Sequence, residues 1–295
     1  MRVANIGGRA KLVIAHDRIV DVADLSHGRF GPHPSAVYDD WAAFSEWAAT
    51  VDKDQVVGQT FEVSQLGPPS PTPRQAFAVA LNYVDHAAES GVKPPENPLF
   101  FTKFMSAFSG PISEVQIPGP RSNVDWETEL VAIIGAPARR IGADAAWAYV
   151  AGLTVGQDIS ERVMQRSGPM PQFSLGKSHA GFAPNGPWLV TPDELSNPDD
   201  LAIGCEVNGE LMQSARTADM IFPVADLVSY LSHVVTLYPG DVIFTGTPPG
   251  VGMGRDPQVF LKPGDVLTSH IEGLGDLRQT FVRGPGVPGA GTRKG

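Results

Sequence analysis

The sequence predicts a β-rich α+β fold: a mixed, mostly antiparallel arrangement of short strands with a few short helices. Three observations carry this. Gly (32) and Pro (27) make up about a fifth of the 295 residues, a share that favours strands and turns over long helices. Apolar residues gather in short runs bounded by turn formers, as buried strands do. Strand-like runs do not alternate regularly with helical ones, so a parallel barrel is not expected.

Taken in order, residues 3–6, 11–14 and 18–22 are short β-type runs. Asp39 and Asp40 precede Trp41, Phe44 and Trp47, an apolar stripe at helical spacing with acids where a helix N-terminus favours them. Packing is the reading of that stripe. Residues 67–73, Gly-Pro-Pro-Ser-Pro-Thr-Pro, read as a stiff linker. A small β-rich N-terminal domain is therefore placed at 1–70 and a catalytic domain at 71–283. Beyond the linker, 76–81 reads as a buried strand, 84–90 as a short helix, 91–98 as an irregular loop, and 99–104, 127–134 and 149–157 as strands. A helix is expected from near Ser160. Asn208-Gly209 joins 201–207 to 210–215 as a hairpin, because Asn-Gly suits a two-residue type I′ turn. Leu227, Val228, Leu231, Val234 and Val235 recur at helical spacing within 224–237, the best amphipathic helix in the chain. Residues 241–245, 265–271 and 278–282 complete the strands, and the Gly/Pro/basic tail 284–295 is expected to be disordered.

Composition narrows the function. Hydrophobic residues at 42% and charged ones at 18% suit a soluble globular enzyme. A formal charge of −10 argues against nucleic acid and anionic membranes as partners, and requires a local Arg or Lys cluster wherever an anion binds. Cys205, the only cysteine, sits in an apolar run and reads as a buried inert thiol. No signal-peptide pattern or membrane-spanning run is seen, so a cytoplasmic protein is expected.

The stretch 125–134, Asp-Trp-Glu-Thr-Glu-Leu-Val-Ala-Ile-Ile, reads as a strand entering a buried sheet. Side chains alternate along a strand, so Glu127 and Glu129 share a face. On these residues alone a solvated edge strand is the commoner reading. If the pair is buried, it stays ionised only with a cation between, and a hard divalent ion such as Mg²⁺ fits oxygen ligands. Asp158, ending an apolar run, is either a third oxygen ligand or a helix N-cap. His86 and Glu89 lie three apart and face the same way on a helical turn; they form either a general-base dyad or a surface pair. Lys177 follows Gly176 in an otherwise uncharged loop and is either ligand-facing or solvated. The glycine-rich run 245–254 lacks the Lys-Ser/Thr of a P-loop. A loop bringing backbone N–H groups and the Thr247 hydroxyl to a carboxylate is the better reading.

Together, Leu81-Asn82-Tyr83-x-x-His86-x-x-Glu89, Glu127-x-Glu129-Leu130, Asp158-x-x-x-Arg162-x-x-Gln165, Gly176-Lys177-Ser178, Val207-Asn208-Gly209-Glu210 and Pro239-Gly240-Asp241-x-Ile243-x-Thr245-Gly246-Thr247-Pro248 resemble the fumarylacetoacetate hydrolase family over 74–282. The chain is similar to the bacterial acylpyruvase-like and 2-hydroxyhepta-2,4-diene-1,7-dioate isomerase-like branch. The resemblance implies a mixed β-sandwich or β-roll, a homodimer and one Mg²⁺ or Mn²⁺ per subunit. By position it implies Glu127, Glu129 and Asp158 as metal ligands and His86, Glu89 and Lys177 as catalytic groups. Tyr83, Arg162, Gln165 and Thr247 fall at substrate-contacting positions. Segments 91–98 and 168–171 depart from the family's usual pattern, where the substrate's side group would be met. The expected activity is Mg²⁺-dependent hydrolysis of a carbon–carbon bond in an acylpyruvate-type 2,4-dioxo acid, a small anionic substrate, through a stabilised enolate. The alternatives are an oxaloacetate-type decarboxylase, a hydroxy-dienoate isomerase or tautomerase, and a non-catalytic ligand-binding dimer.

Overall fold

The computed structural model describes residues 1–285; the tail expected to be disordered lies, after Pro285, outside the described residues. Two sheets pack face to face. In the larger, the main order is Gln59–Thr60, Arg18–Asp21, Arg9–Ala15, Arg2–Ile6, Ala183–Val190, Val150–Gln157, Thr128–Ile134, Val242–Phe244, Ala76–Ala80 and Leu99–Thr102. The smaller runs Glu210–Arg216, Ala202–Val207, Val266–Ile271, Gly275–Arg283 and Ile112–Ile117. Leu130, Leu153 and Val155 from the first meet Ile203, Ile271 and Leu277 from the second in one buried cluster. Most pairings are antiparallel; Ala76–Ala80 with Val242–Phe244 and Gly275–Arg283 with Ile112–Ile117 are parallel. The expected mixed, β-rich architecture is what the chain adopts.

The N-terminal strands continue the large sheet, since Arg2 pairs with Val190 and Val3 with Leu189. Residues 67–73 are laid against the body rather than free of it. Ser70 Oγ donates to the Gly240 carbonyl at 2.6 Å, and the Tyr38 hydroxyl donates to the Pro69 carbonyl at 3.2 Å. The aromatic stripe is packing: helix Trp41–Ala49, capped by Asp40 accepting from Ala43 N–H at 3.0 Å, sets Phe44 and Trp47 against Phe30 and stacks Trp41 on Tyr38. Asn208 and Gly209 both have positive φ, 54° and 81°, as a type I′ hairpin turn demands. The amphipathic helix ends at Val234, earlier than its apolar pattern suggests. Leu237 instead leaves in extended conformation to bridge Ala138, so its burial is that of a strand.

Two strands of six residues or more lie where no strand was expected. Ala183–Val190 is a central strand carrying Pro184, Gly186 and Pro187, residues that normally argue against a sheet interior. It tolerates them because its ladder is irregular there, with a register shift opposite Leu153 and Val155. Ile112–Ile117 lies at the open side of the small sheet.

At the outer end of the large sheet, Asp21 accepts from Arg9 Nε at 2.6 Å and from Lys11 Nζ at 2.8 Å. Burial pushes its carboxyl upward, but these hydrogen bonds prevail and hold it well below the usual carboxylate range. A carboxyl depressed by folding contributes stability above its unfolded pKa, and that stability is lost as pH falls toward the folded value. Asp21→Asn is therefore expected to lower Tm by a few degrees at pH 7. The gap from wild type should close as pH falls below about 4. A pH-independent gap in calorimetric scans would contradict this.

Candidate active site

The site grows from one sheet register. Thr128 pairs with Gln157, which carries Glu127 and Glu129 to the end of the neighbouring strand, where Asp158 N–H donates to the Glu127 carbonyl at 2.9 Å. One carboxylate oxygen from each of Glu127, Glu129 and Asp158 lies within 4.8 Å of the others. All three residues are buried, Glu129 at 1% and Asp158 at 0% exposure. The solvated edge-strand alternative is thereby excluded.

Buried like charges need cations, and the fold supplies three. Lys177 Nζ donates to Glu127 Oε2 and Asp158 Oδ2, both at 2.6 Å. Arg162 pairs with Glu127 at 2.7 Å and with Asp125 at 2.7 Å. Lys103, which the sequence reading passed over, bonds Asp158 Oδ1 and the carbonyls of Lys177 and Phe182. Burial raises the Glu127 carboxyl, yet Lys177 and Arg162 bring it down to about 2.

Glu129 is different. Its Oε2 accepts from Gly246 N–H at 2.8 Å, while Oε1 is buried without a partner. Burial, then the charges of Asp158 and Glu127, hold its carboxyl well above the usual range. An orphaned carboxylate oxygen facing two further carboxylates is a donor set suited to a hard divalent cation. Fully ionised, the acids Asp125, Glu127, Glu129 and Asp158 outnumber the bases Lys103, Arg162 and Lys177 by one. A divalent ion would reverse that sign and favour an anionic ligand.

Helix Val84–Glu89 places His86 Nδ1 2.7 Å from Glu89 Oε1, leaving Nε2 as the ring nitrogen that Glu89 does not hold. A cavity of about 240 Å³ brings His86, Glu127, Arg162, Gln165, Lys177 and Thr247 onto one wall system, with Arg166, Phe173 and Met253 added. Tyr83 does not reach that wall. It is 1% exposed with an unpartnered hydroxyl, and burial followed by the charge of Glu129 raises its phenol. The Thr247 hydroxyl donates to the Thr128 carbonyl at 2.9 Å and accepts from Gln213 Nε2 at 2.8 Å, so its hydrogen is already used.

The glycine-rich loop does bring N–H groups to carboxylates, and they are the protein's own. Gly246 N–H holds Glu129, Gly250 N–H holds Glu89 at 2.9 Å, and the N–H groups of Gly252 and Met253 hold Asp125 at 2.7 and 3.0 Å. Cys205 is buried, with Sγ 3.2 Å from Gln213 Oε1, and burial pushes its thiol up to about 12. It is the inert thiol expected.

Residues 75–282 match the family pattern described as fumarylacetoacetate (FAA) hydrolase C-terminal. The chain belongs to the fumarylacetoacetate hydrolase family. Members of this family resemble it closely in sequence and structure. The oxaloacetate tautomerase Fahd2a of Rattus norvegicus mitochondria is 47% identical over 72% of this chain and 68% of its own. The 2,4-didehydro-3-deoxy-L-rhamnonate hydrolase of Sphingomonas sp. (strain SKA58) is 49% identical over 68% of this chain and 71% of its own. The crystal structure of a putative HpcE protein from Mycobacterium smegmatis superposes with a TM-score of 0.89 at 54% identity, covering 96% of this chain and 99% of that one. The maleylpyruvate hydrolase of Sphingobium sp. SYK-6, solved with manganese(II) and pyruvate, gives 0.80 at 28% identity over 96% and 100%. The fold is thus that of fumarylacetoacetate hydrolase family enzymes, whose members include hydrolases, isomerases and tautomerases. No helix among the described residues is long and apolar enough to cross a membrane.

Proposed function

We propose that this enzyme hydrolyses a carbon–carbon bond in an acylpyruvate-type 2,4-dioxo acid, with Mg²⁺ or Mn²⁺ held by Glu127, Glu129 and Asp158. The observation that carries the proposal is the unpartnered Glu129 oxygen beside two other buried carboxylates, next to a cavity walled by His86. The bound cation would act as a Lewis acid, stabilising negative charge that develops on the 2-oxo group.

The chain's own residues divide the remaining work. His86 takes a proton from water at Nε2 while Glu89 holds Nδ1 and stabilises the imidazolium. The water oxygen adds to the distal carbonyl carbon. The bond between that carbon and the next breaks, its electron pair passing into the pyruvate enolate, and the proton returns from His86 to the enolate carbon. One carboxylic acid and one 2-oxo acid are released. Lys177 and Arg162 fix the Glu127 carboxylate and add positive potential where the anionic substrate lies. The 49% identity to a hydrolase named for a didehydro-deoxy sugar acid supports hydrolysis. The 47% identity to an oxaloacetate tautomerase favours one second reading, proton transfer at the same site without attack by water. The homodimer belongs to the same proposal and is read by light scattering.

The test is turnover of acetylpyruvate, fumarylpyruvate, oxaloacetate and a deoxy-sugar-derived 2,4-dioxo acid, each with Mg²⁺ and with chelator, followed by product analysis. Two acids indicate hydrolysis, CO₂ indicates decarboxylation, and an isomer of unchanged mass indicates tautomerisation. Metal-independent turnover would sink the proposal. His86→Asn is expected to reduce cleavage by about 10²–10⁴-fold while metal affinity, read by calorimetry, stays within a few-fold. Loss of metal binding in that variant would place His86 among the ligands instead.

A further inference from the structure

The cavity wall carries one cation whose charge the protein leaves unspent. Arg162 and Lys177 both line it, and both lie within 3 Å of buried carboxylates. Arg166 lines it too. Its backbone is fixed, because it ends the short helix Arg162–Gln165 with its N–H donating to the Arg162 carbonyl at 3.2 Å. Among the described residues, however, no carboxylate lies within ion-pair reach of its guanidinium. Its side chain makes one hydrogen bond, from NH1 to Met253 Sδ at 3.5 Å, and a thioether is a weak acceptor. The same cavity is lined by the apolar side chains of Val92, Pro171, Phe173 and Met253 together with the polar ones of Ser90 and Gln165.

A guanidinium presented this way suits a planar carboxylate, which it binds through two parallel N–H bonds. It offers nothing comparable to an alkyl tail. The head of a 2-oxo acid already has its place at the triad, on the reading given above, so the carboxylate for Arg166 is a second one. We propose that Arg166 is a specificity-determining residue that selects 2-oxo acids carrying a second carboxylate at the far end over those ending in a neutral group. The inference rests on the triad as the seat of the 2-oxo acid head. It adds the class of tail.

Calorimetric titration of the Mn²⁺-loaded enzyme with 2-oxoglutarate and with 2-oxopentanoate tests this, because the two differ only in carboxylate against methyl at the tail. Wild type should bind the diacid about 10- to 100-fold more tightly. Arg166→Gln should bring the two within a few-fold of each other, and Arg166→Lys should keep part of the preference. Arg166 is exposed, so these variants fold, and their Mn²⁺ affinity serves as the check. The inference is overturned if wild type shows no preference, if neither acid binds, or if the preference survives in Arg166→Gln. Failure to cleave any 2,4-dioxo acid would instead overturn the proposed reaction and leave this binding comparison standing.

Discussion

Glu129→Gln is expected to abolish divalent-metal binding without weakening the metal-free fold. Glu129 is buried beside Asp158 and Glu127, no cation bonds it, and one of its oxygens has no donor. The amide keeps the side chain's shape and can still accept from Gly246. Its NH₂ can donate to the carboxylates within 4.8 Å, replacing repulsion by hydrogen bonds. What it cannot replace is an anionic ligand. Mn²⁺ affinity should fall by about 100-fold or more and turnover by about 10³-fold, while thermal unfolding in chelator is unchanged or later. Retained metal affinity would remove Glu129 from the ligand set. A large fall in chelated Tm would show that its charge is structural.

Lys103→Met should do the reverse and destabilise the protein with or without metal. The Lys103 side chain is fully buried, and its ammonium meets Asp158 Oδ1 and two backbone carbonyls. Burial pushes its pKa down and Asp158 pulls it up. Met fills the stem but leaves Asp158 with Lys177 alone and takes the Lys103 donor from the Lys177 carbonyl, while the Phe182 carbonyl keeps the Ile159 N–H at 3.1 Å. Removing one partner of a buried pair costs about 3–5 kcal/mol. For a chain of this length that is roughly 10 °C in Tm. Denaturant unfolding in chelator measures it, and a loss below about 1 kcal/mol would mean that water substitutes for the ammonium.

Wherever one short pattern implied one local geometry, the sequence was readable. Asn208-Gly209 specified its turn through backbone sterics alone. The Glu127/Glu129 spacing put two carboxylates on one face, and His86 with Glu89 formed a hydrogen-bonded pair across one helical turn. Burial was less readable, because it depends on what the sheet brings alongside. Lys103 follows an ordinary apolar strand, and nothing near it in sequence says that Asp158 and Lys177 close over it. Ala183–Val190 was hidden by its prolines. Ile112–Ile117 was not hidden: Glu114-Val115-Gln116-Ile117 alternates polar and apolar side chains, with Val115 and Ile117 buried, the period-two signal of a half-buried strand. Thr247 lines the cavity, but its hydroxyl proton is taken by a carbonyl that no local pattern announces.

The glycine-rich loop has a bearing on how such an enzyme changes. A Cβ at Gly252 would stand 1.9 Å from the Val259 carbonyl oxygen and 2.8 Å from Asp125 Oδ1, so the backbone there admits no side chain without moving. The same short stretch fastens Glu129, Glu89 and Asp125. An altered residue in it therefore disturbs a member of the buried acidic triad, the carboxylate that holds His86 and the anchor of Arg162 at once. Residues 166–173 fasten none of these acids. A lineage, or a protein engineer, seeking a new substrate finds one segment of the cavity wall free to vary and another locked, so new specificities can be acquired without the chemistry being reinvented.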